Sequence, residues 1–314
     1  MRVEITRDRA PHADRIEEIA ARATDAYVTA PLGEQPLRQL RDQREDLVHI
    51  VAYADDDLPI GYAQVDGTGE EATAELVVDP PARRNGAGTA LVRAIVDAQP
   101  AAQIWAHGDL PAASGMAVDI GLVKGRELLI MRRDRNDGPQ LAAPAPPEGV
   151  EFGSLAEAET RWPGMDARAE LLRVNNAAFA WHPEQGGWSA EQLEDRLAVD
   201  WVDPAGIFLA VDTSGGSGGP DGGAPRLLGF HWTKVHPAAG DAAPEGEVYV
   251  VGVDPAAQGR KLGSKLTVLG VRHLESSGID VVILYVEGDN VPARRTYEQL
   301  GFAVAHRDVT YLAG

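Results

Sequence analysis

The residues best placed to do chemistry lie in two short turns. Gln258-Gly-Arg-Lys-Leu-Gly-Ser264 follows an alternating β-branched run, Val248 to Val253, that reads as a strand. It precedes Ser264 to Leu274, where apolar residues fall at helical spacing. Asp254-Pro255 stops the strand, because proline has no ladder donor and restricts the residue before it. A strand, a glycine-containing turn and a helix together aim backbone N–H groups and a positive helix end at one point, which suits phosphate. Arg83-Arg-Asn-Gly-Ala-Gly88 repeats this arrangement between the strand Glu75 to Val78 and the helical segment Thr89 to Ala98. The chain carries a net charge of −19, with 29 Lys and Arg against 48 Asp and Glu. Against that background, the basic pairs Arg83-Arg84, Arg260-Lys261 and Arg294-Arg295 stand where a polyanionic ligand would need them.

Other chemistries are excluded or disfavoured. There is no cysteine, hence no disulfide, thiolate zinc site or cysteine nucleophile. His182, His231 and His236 lack metal-ligand spacing, so no metal is expected. The acidity argues against nucleic acid and against anionic membrane as partners. No run approaches eighteen apolar residues and the N-terminus has no signal core, which predicts a cytoplasmic protein.

The elements that must position the turns occur twice. A length of 314 residues with 44% apolar residues suits two cores. Val3 to Thr6, Leu47 to Tyr53, Ile60 to Val65, Glu75 to Val78, Gln103 to His107 and Leu128 to Arg132 read as strands. Helices are expected over Arg15–Ala23, Leu37–Arg44, Thr89–Ala98 and Ala112–Asp119. After a Pro- and Ala-rich linker the pattern returns, with strands at Val150–Gly153, Gly206–Val211, Leu227–Thr233 and Val281–Val286 and a helix over Ala167–Phe179. The Gly- and Ser-rich stretch Thr213 to Pro225 is expected to be a disordered loop. Asp79-Pro80 matches Asp254-Pro255, Gly88 matches Gly263, Gly61 matches Gly229, and Gly121-Leu122 matches Gly301-Phe302. The expected organisation is therefore two copies of one α/β (α+β) fold: residues 1–136, a linker at 137–148, and residues 149–314.

Downstream of the second turn, Asn290, Ala293, Tyr297, Gly301 and Phe302 stand as N-x-x-A-x-x-x-Y-x-x-x-G-F. With Q-x-x-x-x-G at Gln258 to Gly263, this resembles the acyl-CoA site of the GCN5-related N-acetyltransferases. The resemblance implies tandem acetyltransferase domains, each a mixed, mostly antiparallel sheet flanked by helices, with acetyl-CoA as co-substrate. It implies cofactor contacts at Val251, Gly252, Val253, Gln258, Gly259, Arg260, Lys261, Leu262, Gly263, Ser264, Asn290, Ala293, Arg294 and Arg295. In the first copy it implies Leu76, Val77, Val78, Arg84, Asn85, Gly86, Ala87, Gly88 and Thr89. An amine attacking a thioester must lose a proton, and Glu247 is the candidate base; Tyr297 is the candidate donor to the leaving sulfur. Counting from the shared motifs, Ala72 and Ala117 stand at these positions in the first copy, which makes the second copy the catalytic one. Lys261 departs from the family's usual glycine, which Gly86 keeps; a tolerated Cβ is expected there.

The segments Pro31 to Gln35, Val174 to Trp188 and Gly229 to Pro237 closely resemble tandem members of this family that acetylate the cysteinyl amine of a cysteinyl-glucosaminyl-inositol. That resemblance implies contacts to a small thiol-sugar substrate at Glu34, Glu184, Lys234, Glu247 and Tyr285. A monomer is expected. The alternatives are a tandem acetyltransferase for another small amine and a non-catalytic acyl-CoA sensor.

Overall fold

A computed structural model describes residues 1–27, 29–180, 185–215, 224–238 and 243–314. The chain forms two compact units, each a mixed sheet flanked by helices. The first contains Met1–Leu129, Glu287–Asp289 and His306–Gly314; the second contains Ile130–Val286 and Asn290–Ala305.

In the first unit the order is β1 (Arg2–Thr6), α1 (Ala13–Tyr27), α2 (Glu34–Arg38), β2 (Leu47–Tyr53), β3 (Pro59–Asp66), β4 (Thr73–Val78), α3 (Ala87–Ala98), β5 (Gln103–His107), α4 (Pro111–Ile120) and the start of β6 (Leu122–Asp134), which belongs to the second unit from Ile130 on. Strands β1 to β4 pair antiparallel in sequence order, and β4 pairs with β5 in parallel. The α1 helix buries Ile16, Ile19, Ala20 and Ala23, the i, i+3, i+4 spacing of an amphipathic face. That face packs with Val51, Tyr62 and Val77 of the strands. The α3 helix packs Leu91, Val92 and Ile95 on the opposite side of the sheet.

The second unit contains β7 (Val150–Ser154), α5 (Ala158–Arg161), α6 (Ala167–Ala178), α7 (Ala190–Leu197), β8 (Ile207–Asp212), β9 (Arg226–His236), β10 (Glu245–Val253), α8 (Leu262–Ser276), β11 (Val281–Glu287) and α9 (Val291–Gln299). Strands β7 to β10 again pair antiparallel, and β10 pairs with β11 in parallel. The α6 helix starts at Asp166, whose carboxylate accepts from Ala169 N, and α7 starts with a Ser189–Gln192 capping box.

Three features depart from the expected organisation. A final strand, β12 (Ala303–Ala313), is present, and its residues Asp308–Tyr311 pair antiparallel with β5 of the first unit. The compact units therefore do not divide at the linker alone, because the first unit takes in residues 306–314. The linker is also no free tether. The carbonyls of Pro139, Leu141, Ala145 and Glu148 accept from Arg133, Arg272, Lys265 and Arg260 of the second unit. Most of the Gly- and Ser-rich stretch, 216–223, lies outside the described residues.

The paired Asp-Pro has a structural cause that the sequence alone did not disclose. Asp79, buried, accepts from Arg15 and from both Nε and Nη2 of Arg22 on α1. Asp254 accepts from Arg173 of α6 at 2.6 Å and from Ala256 N at 2.9 Å. Each aspartate ties the first long helix of its unit to the end of the central strand, just before the turn. Arg173 holds Asp254 below the usual carboxylate range despite its burial.

Candidate active site

In the second unit, β10 and β11 pair only from Glu245–Val281 to Glu247–Ile283. Beyond Glu247, β10 continues to Val253 on β9 alone, leaving its other edge without a strand partner among the described residues. Such an edge offers backbone donors and acceptors to an extended ligand. Where the strands part, β10 also bulges. The register with β9 slips between Val248 and Val250, so Tyr249 is the inserted residue. The bulge places Tyr249 and Val250 together against the α6-side core, and Tyr249 packs edge-on to both Trp201 and Trp232.

Glu247 sits at the point of divergence, and its side chain is only 8% exposed. His236 Nε2 lies 2.6 Å from its Oε2. Lys234 is the direct cross-strand partner of Glu247. Its ammonium nevertheless rests over the Trp201 and Tyr249 rings, 5.0 and 5.4 Å from their centroids. Tyr285, two residues beyond the partner of Glu247 on β11, is 49% exposed.

The turn after β10 has its backbone in the left-handed region twice, at Gly259 (φ 82°) and Lys261 (φ 59°). The turn after β4 does the same at Arg84 (φ 64°) and Gly86 (φ 84°). Both turns thus share one alternating conformation, yet each places its glycine at a different one of the two positions. Lys261 and Gly86 are the N-caps of α8 and α3, and neither makes a side-chain capping bond. The opening N–H groups of both helices are left for an external acceptor. Arg260, expected at a phosphate, instead donates to the Glu148 carbonyl at 3.3 Å.

Tyr297 lies on α9 and packs edge-on to Phe302, ring centroids 6.0 Å apart. Burial pushes its phenol up to about 12, so it stays protonated across the neutral range. Its hydroxyl makes no hydrogen bond among the described residues and is free to donate. Asn290 caps α9 by accepting from Ala293 N at 3.2 Å, which accounts structurally for that pair of the motif. Ala117 occupies the Tyr297 position on α4 of the first unit and is buried.

The first unit holds a cavity of about 450 Å³ where β4 and β5 part beyond Ala74–Ile104. Of the expected first-copy contacts, Leu76, Val77, Val78, Arg84, Gly86, Gly88 and Thr89 line it, whereas Asn85 and Ala87 do not. Strand β4 has no bulge, and the register runs unbroken from Gly61–Val78 to Asp66–Thr73. The extra residue in β10 therefore shifts the comparison by one: Thr73, not Ala72, is the structural counterpart of Glu247. Neither residue is an acid. The cavity is lined in part by His107, which sequence reasoning did not single out. Burial opposes its charge, but Asp308 and Glu75 outweigh that and raise it to about 9.

Comparison with known proteins decides the relationship. Residues 175–302 match the Acetyltransferase (GNAT) family and residues 45–116 an Acetyltransferase (GNAT) domain. The chain is 46% identical over 303 residues to the mycothiol acetyltransferase of Rhodococcus erythropolis (strain PR4 / NBRC 100887), covering 95% of each chain. It is 48% identical over 304 residues to that of Nocardia farcinica (strain IFM 10152), covering 96% of this chain and 94% of the relative. The chain belongs to the mycothiol acetyltransferase family. Among solved structures, a GCN5-related N-acetyltransferase from Sphaerobacter thermophilus superposes with a TM-score of 0.65 at 24% identity, covering 98% of this chain and 94% of that one. A tandem GNAT protein from the clavulanic acid biosynthesis pathway gives 0.63 at 18% identity, covering 100% and 99%. Its two GNAT matches make it a tandem GNAT enzyme, an acetyl-CoA-dependent N-acetyltransferase.

Of the five substrate contacts expected for this family, Lys234 and Glu247 are brought together on one face of β9 and β10. Glu34 opens α2 in the first unit, is exposed, and pairs with Arg38 at 2.9 Å. Glu184, like His182, lies outside the described residues. Besides His107, sequence reasoning missed Tyr249, whose signal, a one-residue slip between strands, exists only in the register, and Trp201, which packs against it. No helix among the described residues is long and apolar enough to cross a membrane.

Proposed function

We propose that this enzyme transfers acetyl from acetyl-CoA to the cysteinyl amine of 1D-myo-inositol 2-(L-cysteinylamino)-2-deoxy-α-D-glucopyranoside, giving mycothiol and CoA, with the reaction carried by the second unit. The observation that carries this reading is the asymmetry at equivalent positions: Glu247 and Tyr297 in the second unit against Thr73 and Ala117 in the first.

Each group has one task. A free α-amine has a pKa near 8, so a carboxylate must take its proton, directly or through one water, as the C–N bond forms. Glu247 is that acceptor, at the parting of β10 and β11. When the C–S bond breaks, the electron pair leaves with sulfur, and Tyr297 supplies the proton that neutralises it. The free edge of β10 at Val251 to Val253 would hold the pantetheine arm and polarise the thioester carbonyl. The turn Gln258 to Ser264, with its two left-handed residues and the start of α8, would hold the pyrophosphate. Asn290, Ala293, Arg294 and Arg295 would flank the cofactor from α9. Lys234, Tyr285 and Glu184 would bind the pseudodisaccharide, whose hydroxyls and cationic amine suit an ammonium, a phenol and a carboxylate. The first unit's cavity would take a second acetyl-CoA without turnover, since Thr73 and Ala117 can neither accept nor donate the required protons. We place the enzyme in the cytoplasm as a monomer.

The test is acetyl-CoA turnover with the synthetic cysteinyl-glucosaminyl-inositol, following the N-acetyl product by mass spectrometry. Fast product formation, absent with simple primary amines, is expected. No product, with acetyl-CoA still bound, would turn the reading towards another amine or towards acyl-CoA sensing.

A further inference from the structure

The carboxylate of Glu247 is buried, and a buried carboxylate must find donors or lose its charge. Lys234, directly across the strand pair, does not supply one, because its ammonium is held over two aromatic rings. Tyr249, beside it on the bulge, packs its ring on Trp201 and Trp232; burial and then the nearby Glu247 carboxylate raise its phenol, but no hydrogen bond joins the two among the described residues. From β11 the paired residue is apolar, Ile283, with Tyr285 two positions on. Among the described residues, the one side-chain partner left to Glu247 is His236, 2.6 Å away through Nε2. Its imidazole is 37% exposed, so it reaches from the base to solvent.

We propose that His236 is the positioning residue for the proton acceptor: its Nε2–H donates to Glu247 Oε2, fixing the carboxylate and leaving Oε1 for the substrate ammonium. This rests on the reading of Glu247 as the base. Histidine suits the task for a specific reason. Its ring offers an N–H donor at Nε2 on a short, rigid side chain while the other ring nitrogen faces away from the carboxylate. The sequence allows it too. Residues 234 and 236 are two apart on a strand, so Lys234 and His236 share the face that carries Glu247. One then sorts the cation for the aromatic wall and the other the donor for the acid.

The experiment is a set of three variants in the full-length enzyme, each checked for folding by its thermal melt. His236→Ala is expected to lower kcat about tenfold and to move the acid limb of the kcat/KM profile for the amine up by about one pH unit, with KM for acetyl-CoA unchanged. His236→Gln, whose amide keeps a donor at similar reach, is expected to recover most of kcat and the parental profile. The proposal is overturned if His236→Ala retains parental kcat and profile, or if Gln fails to restore what Ala loses. Glu247→Gln separates the two layers. If that variant is inactive while His236→Ala is silent, only the role of His236 falls. If Glu247→Gln turns over normally, the assignment of the base falls first.

Discussion

Replacing Lys261 with glycine should stabilise the second unit while leaving its cofactor affinity nearly unchanged. Lys261 sits at φ 59°, ψ 25° at the start of α8, a left-handed conformation that costs an L-residue about 1–2 kcal/mol. Its side chain is exposed, makes no capping bond and forms no ion pair among the described residues, so truncation forfeits little. Against the relief stands the greater freedom of glycine in the unfolded chain, roughly 0.4–1 kcal/mol. The net gain expected is therefore about 0.5–1 kcal/mol, which corresponds to roughly 2–4 °C in Tm per kcal/mol for a unit of this size. The converse change isolates the same effect in the first unit. Gly86 has φ 84°, and a Cβ there would meet only the Met1 methyl, at 4.0 Å. Gly86→Ala should therefore cost about 1 kcal/mol through the backbone alone. Urea unfolding followed by circular dichroism, with a calorimetric acetyl-CoA titration alongside, measures both quantities. A Lys261→Gly protein that is less stable than the parent would refute the strain argument. Affinity tightened more than about tenfold would show that the Cβ crowds the pyrophosphate, against the tolerance inferred for it.

Three further outcomes follow from the same geometry. Tyr297→Phe removes the phenol and leaves its packing on Phe302, so kcat should fall about 10²-fold with unchanged acetyl-CoA affinity, read by single-turnover kinetics; a full-rate variant would exclude Tyr297 as the donor. His107 is raised to about 9 from an ordinary value near 6.5, so its contribution to stability is complete below pH 6.5 and lost as pH rises through 9. That is at most roughly 3 kcal/mol, and urea midpoints of His107→Gln should lack the decline shown by the parent. Gly270→Ala would drive a Cβ to 2.1 Å from the His231 ring, which is fully buried and bonded through Nδ1 to Leu266 O at 2.8 Å, and a loss above about 3 kcal/mol is expected in thermal melts.

Much of the frame was legible because it depends on local chemistry. The Asp-Pro stops, the glycine turns and the helical spacing after them mark strand, turn and helix in both copies, and each is where the periodicity placed it. What the sequence concealed depends on register or on distant partners. The count back from Asp79 to Ala72 fails by one because β10 carries a bulge and β4 does not, a difference that no local residue announces. The final strand, Ala303–Ala313, went unread, and its pairing with β5 reassigns the chain's end to the first unit. Leu37 to Arg44, read as one helix, is a short α-helix, Glu34–Arg38, whose first turn takes in Pro36, followed by a 3-10 turn, Gln39–Arg41. Tyr249 and Trp201 look like ordinary core aromatics in sequence, and only the fold brings both rings under the Lys234 ammonium.

The two units show how little separates a binding frame from a reacting one. Both part their central parallel strands after a brief pairing, and both follow the central strand with the same twice left-handed turn. The bulge adds one residue to β10 and, with it, a change in what stands at the parting. There the second unit presents a buried carboxylate with an imidazole on one oxygen. At the position that the antiparallel register with the preceding strand makes equivalent, one residue before the parting at Ala74–Ile104, the first unit presents Thr73, and its nearby titratable cluster is consumed internally. His107 is held between Glu75 and Asp308, and Glu75 also accepts from Gly33 N at 2.6 Å. Charges tied to one another in this way hold β5, β12 and the loop before α2 in place, but leave no free acceptor for an amine proton. Introducing an acid at Thr73 alone should therefore not confer turnover on the first unit. Without the bulge the side chain has no aromatic wall beside it, and without a tyrosine at Ala117 the leaving sulfur has no donor.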